Sequence, residues 1–580
     1  MTRFLYMLAA IICTVSSFAQ TSFTTLFEKS NGIESAAYFD CISYYKKLDA
    51  AYTSVKMIAG DTTDAGYPLH CVLVSRDKIF DPAKWHAAGK VVVMINNGIH
   101  PGEPDGIDAS MMFVRDAAMG KIILPDNVVL AVIPVYNIGG CLNRNSYSRA
   151  NQNGPVAYGF RGNAENLDLN RDFIKADSKD AFAFEKLFQW LNPDIFIDNH
   201  VSDGADYQHT ITLITTQHNK LGGAIGEFMH NNFEPALYAG MQAEQWNMCP
   251  YVNVDDRDPS QGWEAFYESP RYSSGYAALF SSLSFIVETH MLKPYRDRVY
   301  STYSFEKVIT EKASAYAKDI IEKRKQSIND IKQKTIFPIS WALDSSEHET
   351  INFMGYKADS AISKVTGMKR LFYNHDSPYT KSVKFYNTYK PAVQVNKPVA
   401  YIIPQGWNDV IKRLQLNNVK MNRLKKDTTI KVEAYHIEKY ESLSRAWEKH
   451  HFNYDIQLRT DTMEMKFLQG DYIIYTEQSA DRYIVETLEP SGDDSYFAWN
   501  FFDAVLQQKE GYSSYRWEDV AAAYLQQHPE LQQQLDEKRK TDTSFAHSAD
   551  AQLNFVYKHS PYYEAAHLRY PVYRVISISR

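Results

Sequence analysis

Cysteine is scarce in this chain: five in 580 residues, none spaced as Cys-x-x-Cys. Without close cysteine pairs a thiolate-bound zinc module is not expected. An excess of basic charge is also missing. Lys and Arg number 62 against 69 Asp and Glu, a net charge of −7, which leaves no electrostatic footprint for nucleic acid. Beyond the first residues no apolar run is long enough to span a bilayer.

What is present begins with an export-signal pattern over residues 1–19. Arg3 supplies a positive start, Phe4 to Val15 an apolar stretch, and Ser17-Phe18-Ala19 a small-x-small cleavage site. Ile12 before Cys13 does not fit a lipoprotein signal. The mature chain is therefore expected to be soluble and exported, periplasmic or secreted. It would keep Cys41, Cys71, Cys141 and Cys249, which an oxidising compartment could pair in three ways or leave as buried thiols. At 580 residues the chain exceeds one core and should form two or more domains.

The chain is organised around residues 91–106. Val91 to Asn96 is a short apolar, β-branched run that reads as a buried strand, and glycine and proline then turn the backbone. His100 and Glu103 sit on that turn, separated by Pro101-Gly102. Imidazole and carboxylate suit Zn²⁺, and an open site commonly takes two His and one acid. His-x-x-Glu recurs by chance in long chains. Its weight here comes from the setting, because ligands in α/β sheets gather beyond the carboxyl ends of strands.

In chain order, Thr25 to Lys56 reads as helical, His70 to Val74 as a strand, Asp108 to Met119 as a helix and Val128 to Tyr136 as a strand. The polar stretch Cys141 to Asn166 is too long for a plain connector and is expected to line a site. It runs into Arg161-Gly-Asn-Ala-Glu-Asn-Leu-Asp-Leu-Asn-Arg171, where the arginine forks suit a carboxylate or a developing oxyanion. A surface ion-pair network of Arg161, Glu165 and Asp168 is the plain alternative. Asp180 to Leu191 reads as a helix, and Ile195 to His200 repeats the opening design of an apolar strand ending in histidine. Thr210 to Thr216 continues as strand and Leu221 to Phe233 as helix. Leu283 to Val287 is another such strand, closed by Glu288, which could otherwise pair with Lys293, Arg296 or Arg298. Phe305 to Lys334 reads as one long amphipathic helix that would close the first domain.

His100 with Glu103, the run Arg161 to Arg171, strand-end His200 and strand-end Glu288 together resemble the M14 (funnelin) zinc carboxypeptidases, over roughly residues 25–334. The resemblance implies an α/β fold, a mixed and mostly parallel sheet flanked by helices, in a domain of residues 20–334. It implies one Zn²⁺ per chain held by His100, Glu103 and His200. Glu288 would be the general base, Arg161 would stabilise the oxyanion, and Asn170 and Arg171 would hold the substrate's terminal carboxylate. The family's mobile tyrosine has no clean counterpart; Tyr272 is the first candidate and Tyr276 the alternate. Arg149 competes with Arg161, which has the spacing to Asn170. Asp-Leu-Asn-Arg is shared with related deacylases, but the upstream arginine and the late Glu288 favour a peptidase. The implied substrate is a peptide or a peptidoglycan stem peptide. An exported zinc metallocarboxypeptidase is the expectation, with a cell-wall amidase or carboxypeptidase as alternative and a silent binding protein after that.

Residues 335–580 read as a second, α+β or β-rich accessory domain of unassigned role. Pro398 to Pro404 and Asp471 to Tyr475 look like strands, Asp409 to Leu416 a helix, and Tyr483 to Leu488 either one. Trp517 to Leu535 reads as helix with a break at Pro529, and the aromatic run Asp494 to Asp503 reads first as core, with a cap over the cleft or a sugar- or peptide-binding surface as alternatives.

Overall fold

A computed structural model describes residues 23–577, so the export-signal stretch lies outside the described residues. Strands β1 (Val55–Thr62), β2 (Pro68–Val74), β3 (Val91–Asn96), β4 (Val128–Ile133), β5 (Ile195–Ser202), β6 (Ile211–Thr215) and β7 (Cys249–Pro250) belong to one sheet. After the two-residue β8 (Trp263–Glu264), which pairs elsewhere, β9 (Leu283–His290) completes it in the order β1-β2-β4-β3-β5-β9-β6-β7. The centre β4-β3-β5-β9 is parallel, and antiparallel pairings flank it.

Every residue of β3, β4 and β5 is buried, as expected of parallel strands covered on both faces. Their side chains alternate between two cores. Val91, Val93 and Ile95 pack with the helices Tyr38–Ala51, Asp105–Ala118 and Tyr295–Ala315. Val92 and Met94 pack with Phe184 and Phe188 of the helix Lys179–Leu191. That helix stops at Asn192, whose φ of 48° places it in the left-handed region that asparagine tolerates. Gly106 lets the helix Asp105–Ala118 lie against β5, because a Cβ there would meet Asn199 at 2.4 Å.

Two helices expected from the sequence are divided. The segment 25–56 holds a short helix Leu26–Lys29, then Tyr38–Ala51, with Asn31 at φ 56° and Gly32 at φ 83° turning the chain between them. Its end already belongs to β1, paired antiparallel with β2. The expected helix 305–334 instead begins at Tyr295 and breaks at Tyr316, which leaves helical geometry (φ −104°, ψ 16°). The ring of Tyr316 packs 5.8 Å from Phe228 and 5.9 Å from Phe233, contacts that a continued helix would have to forgo.

Beyond residue 335 the chain is rich in strands. β10 (Ile336–Leu343) is followed by the long hairpin β11 (Glu349–Ile362) and β12 (Lys369–Tyr386), and β13 (Tyr389–Asn396) returns to pair with β10. The end of β12 pairs in parallel with β8, Phe385 beside Trp263. A six-stranded sheet follows, built from β14 (Ala400–Ile403), β15 (Asn422–Arg423), β16 (Thr428–Ser442), β17 (Asn453–Phe467), β18 (Tyr472–Tyr475) and β19 (Tyr573–Val575). Residues 481–488 are helical, and the later helix breaks before Pro529. Tyr401, Tyr483 and Trp499 of this region share one apolar core with Phe184, Phe196 and Tyr276 beneath the first sheet. The aromatic run is core: Tyr496, Phe497, Trp499 and Phe502 are each fully buried. Cys41, Cys71, Cys141 and Cys249 are buried free thiols. Among the described residues no helix is long and apolar enough to cross a membrane.

Glu306 is a buried acid with a measurable consequence. It lies on the helix Tyr295–Ala315, where Ser110 Oγ donates to it at 2.5 Å and Asn199 Nδ2 at 3.1 Å. Burial pushes its carboxyl up to about 8. The folded-state value lies above the unfolded one, so this group's contribution to stability is complete in acid and is lost as pH rises through the folded value. Across that window one such group contributes a slope of about −1.4 kcal/mol of unfolding free energy per pH unit. Glu306→Gln keeps an acceptor but does not titrate. Denaturant titrations at pH 5.5, 7 and 8.5 should show a shallower fall in stability for the variant; identical slopes would remove Glu306 as a contributor.

Candidate metal and catalytic site

The site lies at the carboxyl ends of β3, β5 and β9, where the central strands open into loops. Past β3, Gly98 (φ 63°) turns the chain, and Glu103 N donates to His100 O at 2.8 Å, closing the His-x-x-Glu turn. Gly102 permits a close approach here, since a Cβ would meet Arg149 Cδ at 2.8 Å. His200 lies within β5. The parallel register pairs it directly with Glu288 on β9, so both project to the same side of the sheet.

His100 Nδ1 lies 3.2 Å from Glu103 Oε1, and His200 Nδ1 lies 3.3 Å from Glu103 Oε2. One donor atom from each of these three residues falls within 4.8 Å of the others. All three side chains are buried, and His100 Nδ1 has no hydrogen-bond partner. Each imidazole is backed by a carboxylate on its other nitrogen. His100 Nε2 is 2.8 Å from Asp168 Oδ1, a hydrogen bond, whereas His200 Nε2 is 3.0 Å from Asp198 Oδ2 in a misaligned ion-pair contact. Such outer carboxylates fix ring orientation and raise ligand basicity. Two nitrogens and a carboxylate converging from buried positions, one nitrogen without a partner, fit a divalent cation of zinc's preference.

The electrostatics match that fit. Burial would raise Glu103, but Arg149 and His100, with His200 close by, hold it well below the usual carboxylate range. Burial opposes charge on His200, yet Asp198 raises it well above its ordinary value. Burial pushes Glu288 up to about 8, with His200 pulling it down and Glu103 and Glu268 pushing it further up. Glu288 Oε2 is buried without a hydrogen-bond partner.

A cavity of about 310 Å³ lies over these groups and is also lined by Arg161, Asn170, Arg171 and Tyr272. Arg161 Nε donates to Asp168 Oδ2 at 2.8 Å, while its Nη1 comes within 3.7 Å of Glu103 Oε1. Arg149, the competing arginine, instead bonds Glu103 Oε1 directly through Nη1 at 2.9 Å. It braces the carboxylate, and Arg161 faces the cavity. Asn170 N donates to Asp168 Oδ1 at 2.9 Å, opening the short turn Leu169–Arg171, and Asn170 Oδ1 has no partner. The Arg171 guanidinium stacks 4.6 Å over the Tyr272 ring. Tyr276, the alternate tyrosine, is fully buried and donates to Asn417 Oδ1 at 2.7 Å, away from the cavity.

Two further acidic residues belong to this assembly, Asp168 of the Asp-Leu-Asn-Arg motif and Glu268. Asp168 bonds His100, Arg161 and Asn170 N at once, and burial, which opposes its charge, is outweighed by His100, Arg161 and Arg171, which lower its carboxyl. Its signal in the sequence is its place two residues before Asn170. Glu268 also lines the cavity, 5% exposed, with Ser274 N donating to it at 3.0 Å. Burial raises Glu268 to about 7. Nothing in its flanking sequence marks it.

No family model matches the chain. It is similar to carboxypeptidase 2 of Trichophyton rubrum, 21% identical over 76% of this chain and 78% of that protein. Carboxypeptidase 2 of Trichophyton equinum is 21% identical over 74% of this chain and 77% of its own length. Among solved structures, carboxypeptidase A from Helicoverpa armigera matches 49% of this chain and 75% of its own at 14% identity, with a TM-score of 0.38. A metallo-carboxypeptidase from Burkholderia cenocepacia matches 47% and 69% at 14% identity and a TM-score of 0.35. The curated relatives named carboxypeptidase, the mixed sheet and the order of the site residues together support a likeness to the M14 carboxypeptidases.

Proposed function

We propose that this chain is an exported zinc metallocarboxypeptidase that removes the C-terminal residue of a peptide. The observation that carries the reading is the single cavity in which His100, Glu103 and His200 meet Glu288, Arg161 and the Asn170–Arg171 turn. Export rests on the N-terminal signal pattern of residues 1–19.

His100, Glu103 and His200 would hold the metal. Zinc bound there would supply Lewis acidity, drawing charge from a carbonyl oxygen and making water more acidic. The remaining steps belong to the chain's own residues. Asn170 and Arg171 bind the substrate's terminal carboxylate, the guanidinium by paired N–H donors. This contact selects the last peptide bond, because an internal bond offers no such charge. Glu288 takes the proton from water as its oxygen attacks the scissile carbonyl, then gives that proton to the departing amine. Arg161 faces the oxyanion that develops on the carbonyl oxygen. Tyr272, held beside Arg171, covers the bound end.

Peptides with a free C-terminus should therefore be cleaved well and their C-terminal amides poorly. Losing one charged hydrogen-bonded partner costs about 2–5 kcal/mol, or roughly 30- to 4,000-fold in kcat/KM. Equal cleavage of both forms would remove the clamp from Asn170 and Arg171. Mass spectrometry of a mixed pool of peptides and muropeptides, with and without chelator, tests the substrate class. Chelator-sensitive loss of single C-terminal residues from ordinary peptides is the expected result. Cleavage confined to the muropeptides would transfer the reading to a cell-wall amidase or carboxypeptidase.

A further inference from the structure

The loop that carries Arg161, Asp168, Asn170 and Arg171 is gripped by residues from the far end of the chain. In the turn between β16 and β17, Glu448 Oε2 accepts a hydrogen bond from Asp168 N at 2.9 Å. The next two residues continue the grip: Lys449 Nζ meets Glu165 at 2.5 Å, and His450 Nε2 lies 2.7 Å from Asp177 Oδ2. Glu448 and Lys449 both have positive φ, 49° and 72°, a rare conformation for such side chains. Arg413 seals the other end of the loop by donating to Lys175 O at 2.5 Å and Ala176 O at 2.9 Å.

We propose that Glu448 is a positioning residue for the metal and substrate groups, acting through Asp168, so that residues 443–452 belong functionally to the active centre. Asp168 is the point of leverage. One carboxylate oxygen meets His100 Nε2 and Asn170 N, and the other accepts from Arg161 Nε. Three jobs therefore depend on where one side chain sits: the orientation of a metal ligand, the aim of the oxyanion arginine, and the start of the carboxylate-binding turn. Asp168's own side chain is committed to these partners, so its backbone must be held by something else. Glu448 does so through a charge-assisted acceptor to its amide, 280 residues away in sequence. The neighbouring wall is held in a parallel way. Arg271, adjacent to Tyr272, bonds Asp494 Oδ1 at 2.7 Å and stacks 5.1 Å from Trp447 in the same turn.

This inference rests on the metal-site reading above, and its test separates the two. Zinc affinity of the full-length chain is measured by competition with a chromophoric chelator for the parent, Glu448→Ala and Glu448→Gln, alongside kcat and KM. Removing groups that orient a metal ligand typically weakens binding by about 10- to 100-fold. The alanine variant should lose roughly 10-fold in zinc affinity, with kcat lowered and KM for a free carboxyl terminus raised. Glutamine retains an acceptor for the Asp168 amide and should restore most of both. A parent chain that binds no zinc would sink the metal reading itself. Parent zinc affinity in the alanine variant, or a glutamine variant as weak as alanine, would overturn the positioning role. Should alanine at 448 prevent folding, amide exchange in the parent decides: Asp168 N–H protected like the sheet supports the proposal, and loop-like exchange overturns it.

Discussion

Glu288→Gln should lower kcat by about 10³-fold, within the roughly 10²- to 10⁴-fold usual for a positioned general base, while the protein keeps its zinc. The substitution preserves shape and removes only the ability to accept a proton. Glu288 is not among the three convergent donors, so metal content, read by atomic absorption, should match the parent. KM should change little, because the contacts proposed for the terminal carboxylate lie on the Asn170–Arg171 turn. The effect is expected to be large because Glu288 projects beside His200 from the neighbouring strand and has an oxygen with no partner. Glu268, another acid lining the cavity, is engaged by Ser274. Parent-like turnover by the glutamine variant would falsify the assigned role.

Stripping the metal should have the other large effect. Turnover should fall to background after dialysis against chelator and return on adding one equivalent of zinc per chain. Stability should follow in the same titration, since a ligand that binds only the folded chain stabilises it by about 4 kcal/mol at a thousand times its dissociation constant. The physical basis is the charge balance around Glu103. That carboxylate is braced by Arg149 and faced by both imidazoles, all buried or nearly so. Because the ligands must be deprotonated to bind a divalent cation, binding should weaken as pH falls. Fully active, verifiably metal-free protein would end the proposal, as would restoration that needs no stoichiometric metal.

How much of this was legible in the sequence depended on where side chains sit along apolar runs. His100, His200 and Glu288 each follow or end a β-branched stretch of the kind that forms buried parallel strands, and that signal survives without any neighbour. The hairpin β11–β12 gave no comparable signal. Its strands are 14 and 18 residues long, yet most positions are partly or fully exposed, so no apolar face repeats along them. β16 and β17 escaped recognition for the same reason. Strand β1 was hidden because Val55 is its one fully buried position. Glu268 and Glu448 were invisible for a different reason. Each matters only through a contact made in three dimensions, Glu268 by facing the cavity and Glu448 by reaching an amide 280 residues away. Arg149 and Arg161 could be ranked by spacing, but only geometry separates the brace on Glu103 from the group facing the cavity.

The pairing of His200 with Glu288 carries an evolutionary consequence. Because they are partners across adjacent parallel strands, their separation is inherited from the ladder of backbone bonds rather than from any loop. Loops around the rim can lengthen or change composition without altering the distance between these two side chains. One inserted residue early in β9, by contrast, would turn the glutamate to the opposite face of the sheet. The spacing of these two groups is thus fixed by the sheet, whereas the rim around them is not.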